Sequence, residues 1–289
     1  MNEFLNDYRN LFCIYVMKLL PAFILFVLVQ LSAFENNAQE VFSPGPRYQA
    51  LADASVGLSG CWSVFGNQAG LAVIDRPEIA GSFQDRFLVS ELSTRSGLFV
   101  FPVQSSVCAI SIYQFGKNPF RQEKFGFAYA RQLFPQLNFG VQFNYFQMFL
   151  SEDNRSVGTS GLELGFQYLF VKKLVLGFHV LNPYKTGIRT LSGTFLYPSR
   201  INFGVLYHLS DVFSIATELD NEFNRQFIVK TGLEYIILEN LFLRTGISGK
   251  PYQLSAGIGF KVKELIMDLA TTYNQYLGNS PSISFQYQF

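Results

Sequence analysis

His179 and His208 are the two side chains whose ordinary pKa would let them move protons near neutral pH. Paired with a serine, either would serve as the base of a nucleophile–base system at a lipid face. No serine-bearing motif accompanies them. Each stands in a run of alternating polar and apolar residues, so both are expected to be structural. The three cysteines, Cys13, Cys61 and Cys108, are too few and too scattered for a zinc cluster. Cys61 and Cys108 are expected to stay separate thiols, although an oxidising compartment would permit a bridge. The sequence shows neither a phosphate-cradling glycine loop nor a basic-aromatic patch, and its formal net charge is only +1. Nucleic acid is therefore not an expected partner, and no enzyme activity, cofactor or metal is expected. What remains is a scatter of ionisable residues of both signs, namely Glu163, Arg200, Glu218, Lys230, Glu234, Arg244, Lys261 and Asp268.

Strands must position these groups. From residue 77 onward, segments of about ten residues alternate apolar with polar side chains, the period of a strand with two unlike faces. In one, Tyr252, Leu254, Ala256, Ile258, Phe260 and Val262 oppose Gln253, Ser255, Gly257, Gly259 and Lys261. In another, Phe139, Val141, Phe143 and Tyr145 oppose Asn138, Gly140, Gln142 and Asn144. The reading gives about fourteen such segments, an even number, as in bacterial outer-membrane barrels. Composition agrees. Only 15% of residues are charged while 17% are aromatic, with 32 Phe and 15 Tyr; a soluble domain averages about 25% charged. After the N-terminal region no apolar run reaches the ~18 residues of a helical span. An apolar chain without such helices crosses a bilayer as a closed barrel. The expected fold class is all-β, an antiparallel transmembrane β-barrel in the outer membrane of a Gram-negative bacterium.

The final residues fit this barrel. Ile283, Phe285, Tyr287 and Phe289 lie on one face and Ser282, Ser284, Gln286 and Gln288 on the other. A last strand this aromatic has a use if it pairs with the first and removes both edges. Phe285, Tyr287 and the terminal Phe289 also resemble the signal by which the barrel-assembly machinery recognises its clients. Connections alternate between tight turns, such as Gln104-Ser105 and Val171-Lys172, and longer loops at Lys117–Arg121, Ser151–Val157, Asn182–Tyr197 and Asn221–Arg225. Short turns belong to the periplasm and long loops to the outside. Asn182–Tyr197, the longest, is the expected partner-contact or lid loop.

At the N-terminus, Met17-Lys18 precedes an apolar run over Leu19–Phe34, and Asn36-Asn37-Ala38 follows. Residues 1–38 read as a secretory signal peptide, with cleavage after Ala38 and Met17 as the better start. An uncleaved anchor is the alternative. Residues 39–75 form a separate, non-alternating segment, and residues 76–289 the barrel.

The non-alternating segment carries Gly45-Pro46-Arg47, Leu51-Ala52-Asp53-Ala54 and Asn67-Gln68-Ala69-Gly70-Leu71-Ala72. It resembles the N-terminal signature of FadL-like outer-membrane barrels, in the PorV/PorQ branch. Gly45 and Arg47 match its opening, Ala52 and Ala54 its small-residue patch, and Asn67, Ala69, Gly70, Leu71 and Ala72 its close. Gln68 stands where the family usually has Pro, and Cys61 where an acidic residue is common. The resemblance implies fourteen strands and a short plug entering the lumen from the periplasm. A periplasmic lid without a ligand role is the plainer reading of the same segment.

The resemblance also implies a role in type IX secretion, binding or handing on secreted cargo. The outer loops are shorter than in cargo-receiving members. The alternative is a FadL-like transporter of hydrophobic small molecules, which needs an apolar pocket in the lumen and a lateral opening or kinked strand. A scaffold barrel without cargo is a third reading. In each, Glu163, His179, Arg200, His208, Glu218, Lys230, Glu234, Arg244, Lys261 and Asp268 face inward, where both signs can pair across a filled interior.

Overall fold

The computed structural model describes residues 45–117, 119–150, 155–190, 193–223, 226–249 and 252–289. The signal-peptide and cleavage-site expectations lie outside these residues.

Alternation becomes strand throughout the C-terminal part of the chain. The first four strands are β1 (Glu78–Gln84), β2 (Thr94–Val103), β3 (Ser106–Lys117) and β4 (Phe120–Phe134). β5 (Leu137–Leu150), β6 (Arg155–Val171) and β7 (Leu174–Leu181) follow. A small hairpin of β8 (Gly187–Thr190) and β9 (Gly193–Leu196) stands apart from the main sheet. The main sheet resumes with β10 (Arg200–His208), β11 (Phe213–Glu222), β12 (Ile228–Leu238) and β13 (Leu241–Ser248). It ends with β14 (Gln253–Val262), β15 (Leu265–Asn274) and β16 (Gly278–Gln288).

Among the described residues, fourteen antiparallel strands close into a barrel. β16 pairs with β1 from Gln288↔Glu78 to Ser282↔Gln84, so neither strand is left as an edge. The Phe289 amide donates to the Pro77 carbonyl and completes the seam. Phe285, Tyr287 and Phe289 are exposed on the outer face, in a belt with Phe127, Phe143, Phe203 and Leu254. Outward apolar and inward polar residues are what a lipid surround and a hydrated interior require.

Two sequence expectations about loops change. Lys117–Arg121 is a tight hairpin rather than a loop, because Lys117 pairs with Phe120. Ser156 and Val157 lie in β6, paired with Phe149 and Met148. Beyond the lipid the outward face need not be apolar, so alternation fades while backbone pairing continues. Arg121 and Glu123 mark that change with an outward ion pair at 3.1 Å. The wall built by β4, β5 and β6 thus runs past its neighbours, and β7 meets β6 only from Glu163↔Leu181 onward. The long 182–197 loop carries β8 and β9, which alternation over four residues could not announce.

Candidate functional site: a plugged lumen

The described residues before β1, from Gly45 onward, fill the barrel. A short helix α1 (Pro46–Ala50) is followed by 3-10 turns at Cys61–Phe65 and Gln68–Leu71. Most of this plug is buried, with Tyr48, Val64, Ala69 and Leu71 all at 0% exposure. It winds around the interior: α1 lies on β13–β16, the Cys61–Phe65 turn on β1–β3, and the Gln68–Leu71 turn on β4–β6.

Opposed glycines on the wall make the close approach possible. Gly140 and Gly165 face each other across β5 and β6 and receive Asn67, Gln68 and Ala69. Gly177 and Gly204 do the same for Val56. Gly232 and Gly246 take Leu51 and Ala52, where a Cβ at either glycine would lie 2.6 Å from plug atoms. The plug has its own tight points. Gly45 (φ 98°) lies against the Trp62 ring, and Ala52 (φ 56°) and Asp53 (φ 59°) turn the chain out of α1.

Three glutamates of the wall hold the plug. Glu163, on β6, accepts from Gln68 Nε2 at 2.8 Å, and also from Lys124, Asn144 Nδ2 and His179 Nε2. Glu218, on β11, accepts the Ser55 and Val56 amides at 2.7 and 2.9 Å, and Asn202 Nδ2 at 2.6 Å. Its other partner, Lys230, also reaches Asp220 at 2.7 Å, and Arg200 joins Asp220 to Glu222. Glu234, on β12, is clasped by the Arg47 guanidinium through Nε and Nη2 at 3.2 and 3.1 Å. Arg244 bridges Glu234 to Asp268. Charge-assisted bonds of this kind are stronger than neutral ones, and two-pronged arginine contacts also fix orientation.

Asn67 is the hinge pin of the plug's second half. Its Oδ1 accepts the Ala69 amide, and its Nδ2 donates to the Val56 and Phe166 carbonyls at 2.8 and 3.0 Å. Ala54, Gly70 and Leu71 are buried close packing without polar side-chain roles. Of the inward candidates, only His208 and Lys261 stand apart. Both are exposed where their strands run out, away from the three clusters.

Alternation puts Asn144 and Gln167 on polar faces without assigning them a role, and it misses Lys124 and Gln49. Lys124 sits two residues before Gly126 on the inward face of β4, so extending the alternation would have found it. Gln49, which bonds Ser280 and Ser282 on β16, carries no such signal. Burial pushes the Cys61 thiol well above its usual range. Cys61 and Cys108 are both free.

The lumen has two unlike sides. Most charges line β6 and β10–β15, whereas β1–β4, apart from Glu78 and Lys124, present mainly Ala80, Leu98, Val100, Val107, Ala109, Tyr113 and Ala130. Against that apolar side pack Trp62, Val64, Phe65 and Leu71 of the plug. At the loop end a second apolar cluster joins Phe146, Met148, Leu181, Ile188 and Tyr197, with Phe146 and Tyr197 stacked at 4.1 Å. Phe120 touches both clusters and meets Phe115 at 6.4 Å. On the charged side a cavity of about 50 Å³ lies among Asp53, Lys124, His179, Asn202 and Lys230. That holds a little water but falls short of the roughly 300 Å³ of a small-ligand pocket. The ladders of β1–β4 run in continuous register, and the shifts elsewhere fall beside turns, at Gln132/Phe134, Leu169/Val171 and Ile236/Leu238.

This fold is that of known outer-membrane channels. The structure of the CymD monoaromatic hydrocarbon channel matches with a TM-score of 0.70 at 13% identity, covering 87% of this chain and 99% of that one. The Pseudomonas putida toluene transporter TodX matches at 0.64 and 10% identity, covering 88% and 98%. A Pseudomonas aeruginosa FadL homologue matches at 0.61 and 12%, covering 89% and 100%. The chain has a FadL-type barrel fold. No protein-family model and no curated protein matches the sequence. The wider FadL-like resemblance of the N-terminal motif therefore agrees with the fold, while its PorV/PorQ branch rests on the motif alone.

Proposed function

We propose that the protein is an outer-membrane channel for hydrophobic small molecules, closed by its plug in this conformation. The observation that carries this is the apolar track along β2–β4. It runs from the loop-end cluster through Phe120, Phe115 and Tyr113 to Ala109 and Val107. A water-filled pore has no need of such a track, because unpaired apolar surface in water is unfavourable at roughly 25 cal/mol per Å². The fold it shares with hydrocarbon channels supports the same reading. Continuous ladders in β1–β4 support a route inside the barrel rather than through a gap in the wall. His179 then serves as part of the Glu163 cluster, and no bond-making chemistry is assigned to the lumen.

A secretion role stays as the second reading, favoured by the Asn67-Gln68-Ala69-Gly70-Leu71 motif. Purification from gently solubilised outer membranes, with mass spectrometry of bound lipids and proteins, separates the two. Bound neutral apolar molecules and slower toluene uptake in a deletion strain are expected. Stoichiometric secretion components or cargo, with unchanged toluene uptake, would move the assignment to secretion.

A further inference from the structure

The plug is held unevenly. Its first half is fixed by Arg47 on Glu234, Gln49 on β16, and the Ser55 and Val56 amides on Glu218. Its last turn is fixed by Asn67 on the Phe166 carbonyl and Gln68 on Glu163. Between them, the Cys61–Phe65 turn meets the wall through apolar contacts with β1–β3, Phe65 lying edge-on to Tyr113 at 6.3 Å. The Cys61 thiol lies beside Glu78 of the wall, and a thiol is a weak donor. One hydroxyl, that of Ser63, joins the turn to Tyr48 and the Leu58 carbonyl.

Glycines bound this turn on both sides. Gly60 has φ 125°, and Gly66 has φ −117° with ψ −108°. Both ends therefore tolerate backbone rotation that other residues resist. Trp62 adds a second asymmetry. Its ring is 2% exposed, yet its Nε1 has no hydrogen-bond partner among the described residues. A buried donor without a partner is destabilising, so swinging this ring toward water regains a bond and offsets part of the apolar exposure.

We propose that the Cys61–Phe65 turn is the movable stop on the apolar track, and that the slot it vacates on β1–β3 binds a neutral apolar ligand about one aromatic ring in size. The inference rests on the channel reading above and assigns its ligand site. An arriving ring takes the place of Trp62 and Phe65 in the cluster that holds Val100, Ala109 and Tyr113, so little apolar wall is left bare. The slot also selects. Glu78 is the ionisable wall group beside it, and Arg47 behind the turn is held by Glu234. A carboxylate on the ligand would have to shed its water among apolar side chains, which is costly for a charged group.

Trp62 is the single tryptophan of the chain, so its fluorescence reports the turn directly. In the full-length purified protein, toluene should raise acrylamide quenching of Trp62 severalfold. Amide exchange should quicken over residues 60–66 and stay unchanged over 47–58 and 67–72. Octanoate should do neither, and Ser63→Ala should raise quenching before any ligand is added. Toluene that binds, by mass spectrometry, without moving Trp62 would overturn the proposal while leaving the channel reading intact. Exchange rising evenly over 47–72, or an equal response to octanoate, would also overturn it. Failure of toluene to bind at all would remove the channel reading and this site together.

Discussion

Glu163, like Glu218, gathers four partners from the interior. It is 1% exposed, and it takes hydrogen bonds from Lys124, Asn144, His179 and Gln68. Removing one partner of a buried ion pair leaves the other charge uncompensated, at a cost of about 3–5 kcal/mol. Glu163→Ala takes the carboxylate away from Lys124, itself 2% exposed, and should lower by several degrees the temperature at which the folded band shifts on a gel. An unchanged midpoint would show that Lys124 finds another acceptor. The cysteines give a second check at this scale. Cys61 is buried with its thiol held protonated, so it should resist N-ethylmaleimide at neutral pH until the barrel unfolds. Cys108 is half-buried on the outer face of β3 and should react first with a lipid-soluble maleimide. Early modification of Cys61 in the folded protein would mean that the plug is looser than its packing implies.

At the scale of elements, the opposed glycines decide how deep the plug sits. Gly177→Val would drive a side chain into the Val56 backbone and pull the Ser55 and Val56 amides off Glu218. The barrel should still assemble, because β7 keeps its ladders, but its ion conductance in planar bilayers should exceed that of the parent. Gly81→Val is the control, since the nearest neighbour of its Cβ is 3.5 Å away. Equal conductance in both variants would remove the glycines from the seating of the plug. The strands themselves were legible in the sequence because lipid enforces alternation on their outer face. Tyr252–Val262 and Ile283–Phe289 show this most plainly. Where lipid ends, the rule ends, and so the hairpin at Lys117–Phe120 and the early part of β6 read as loops. The polar partners were half legible. Parity put Glu163, Glu218 and Glu234 inside, but which plug group each would meet depends on barrel stagger, and no local pattern encodes that. The apolar inner side of β1–β4 escaped for the same reason, since a wall covered by a plug is apolar on both faces.

For the whole molecule, stopper and core are one body. Trp62, Val64, Phe65 and Leu71 share a single apolar cluster with Leu98, Val100, Val107 and Ala109 of the wall. Deleting residues 45–74 would bare that side of the wall and leave the three wall glutamates without their plug partners. An apolar core is the chief favourable term in folding, and a barrel without one must rely on its ladders and its lipid belt. The shortened protein should therefore lose its folded gel band at a lower temperature than Glu163→Ala does. Its emptied lumen should be acidic. The deletion removes Arg47 and Asp53 together, and on the wall Glu163, Glu218, Asp220, Glu234 and Asp268 outnumber Lys124, Arg200, Lys230 and Arg244. Lumen side chains set the selectivity of such pores, so whatever fraction assembles should conduct with a preference for cations. Reversal potentials in a potassium chloride gradient measure that preference. An anion-selective pore, or a deletion as heat-stable as the parent, would mean that the wall is organised without the plug and that the plug is only its stopper.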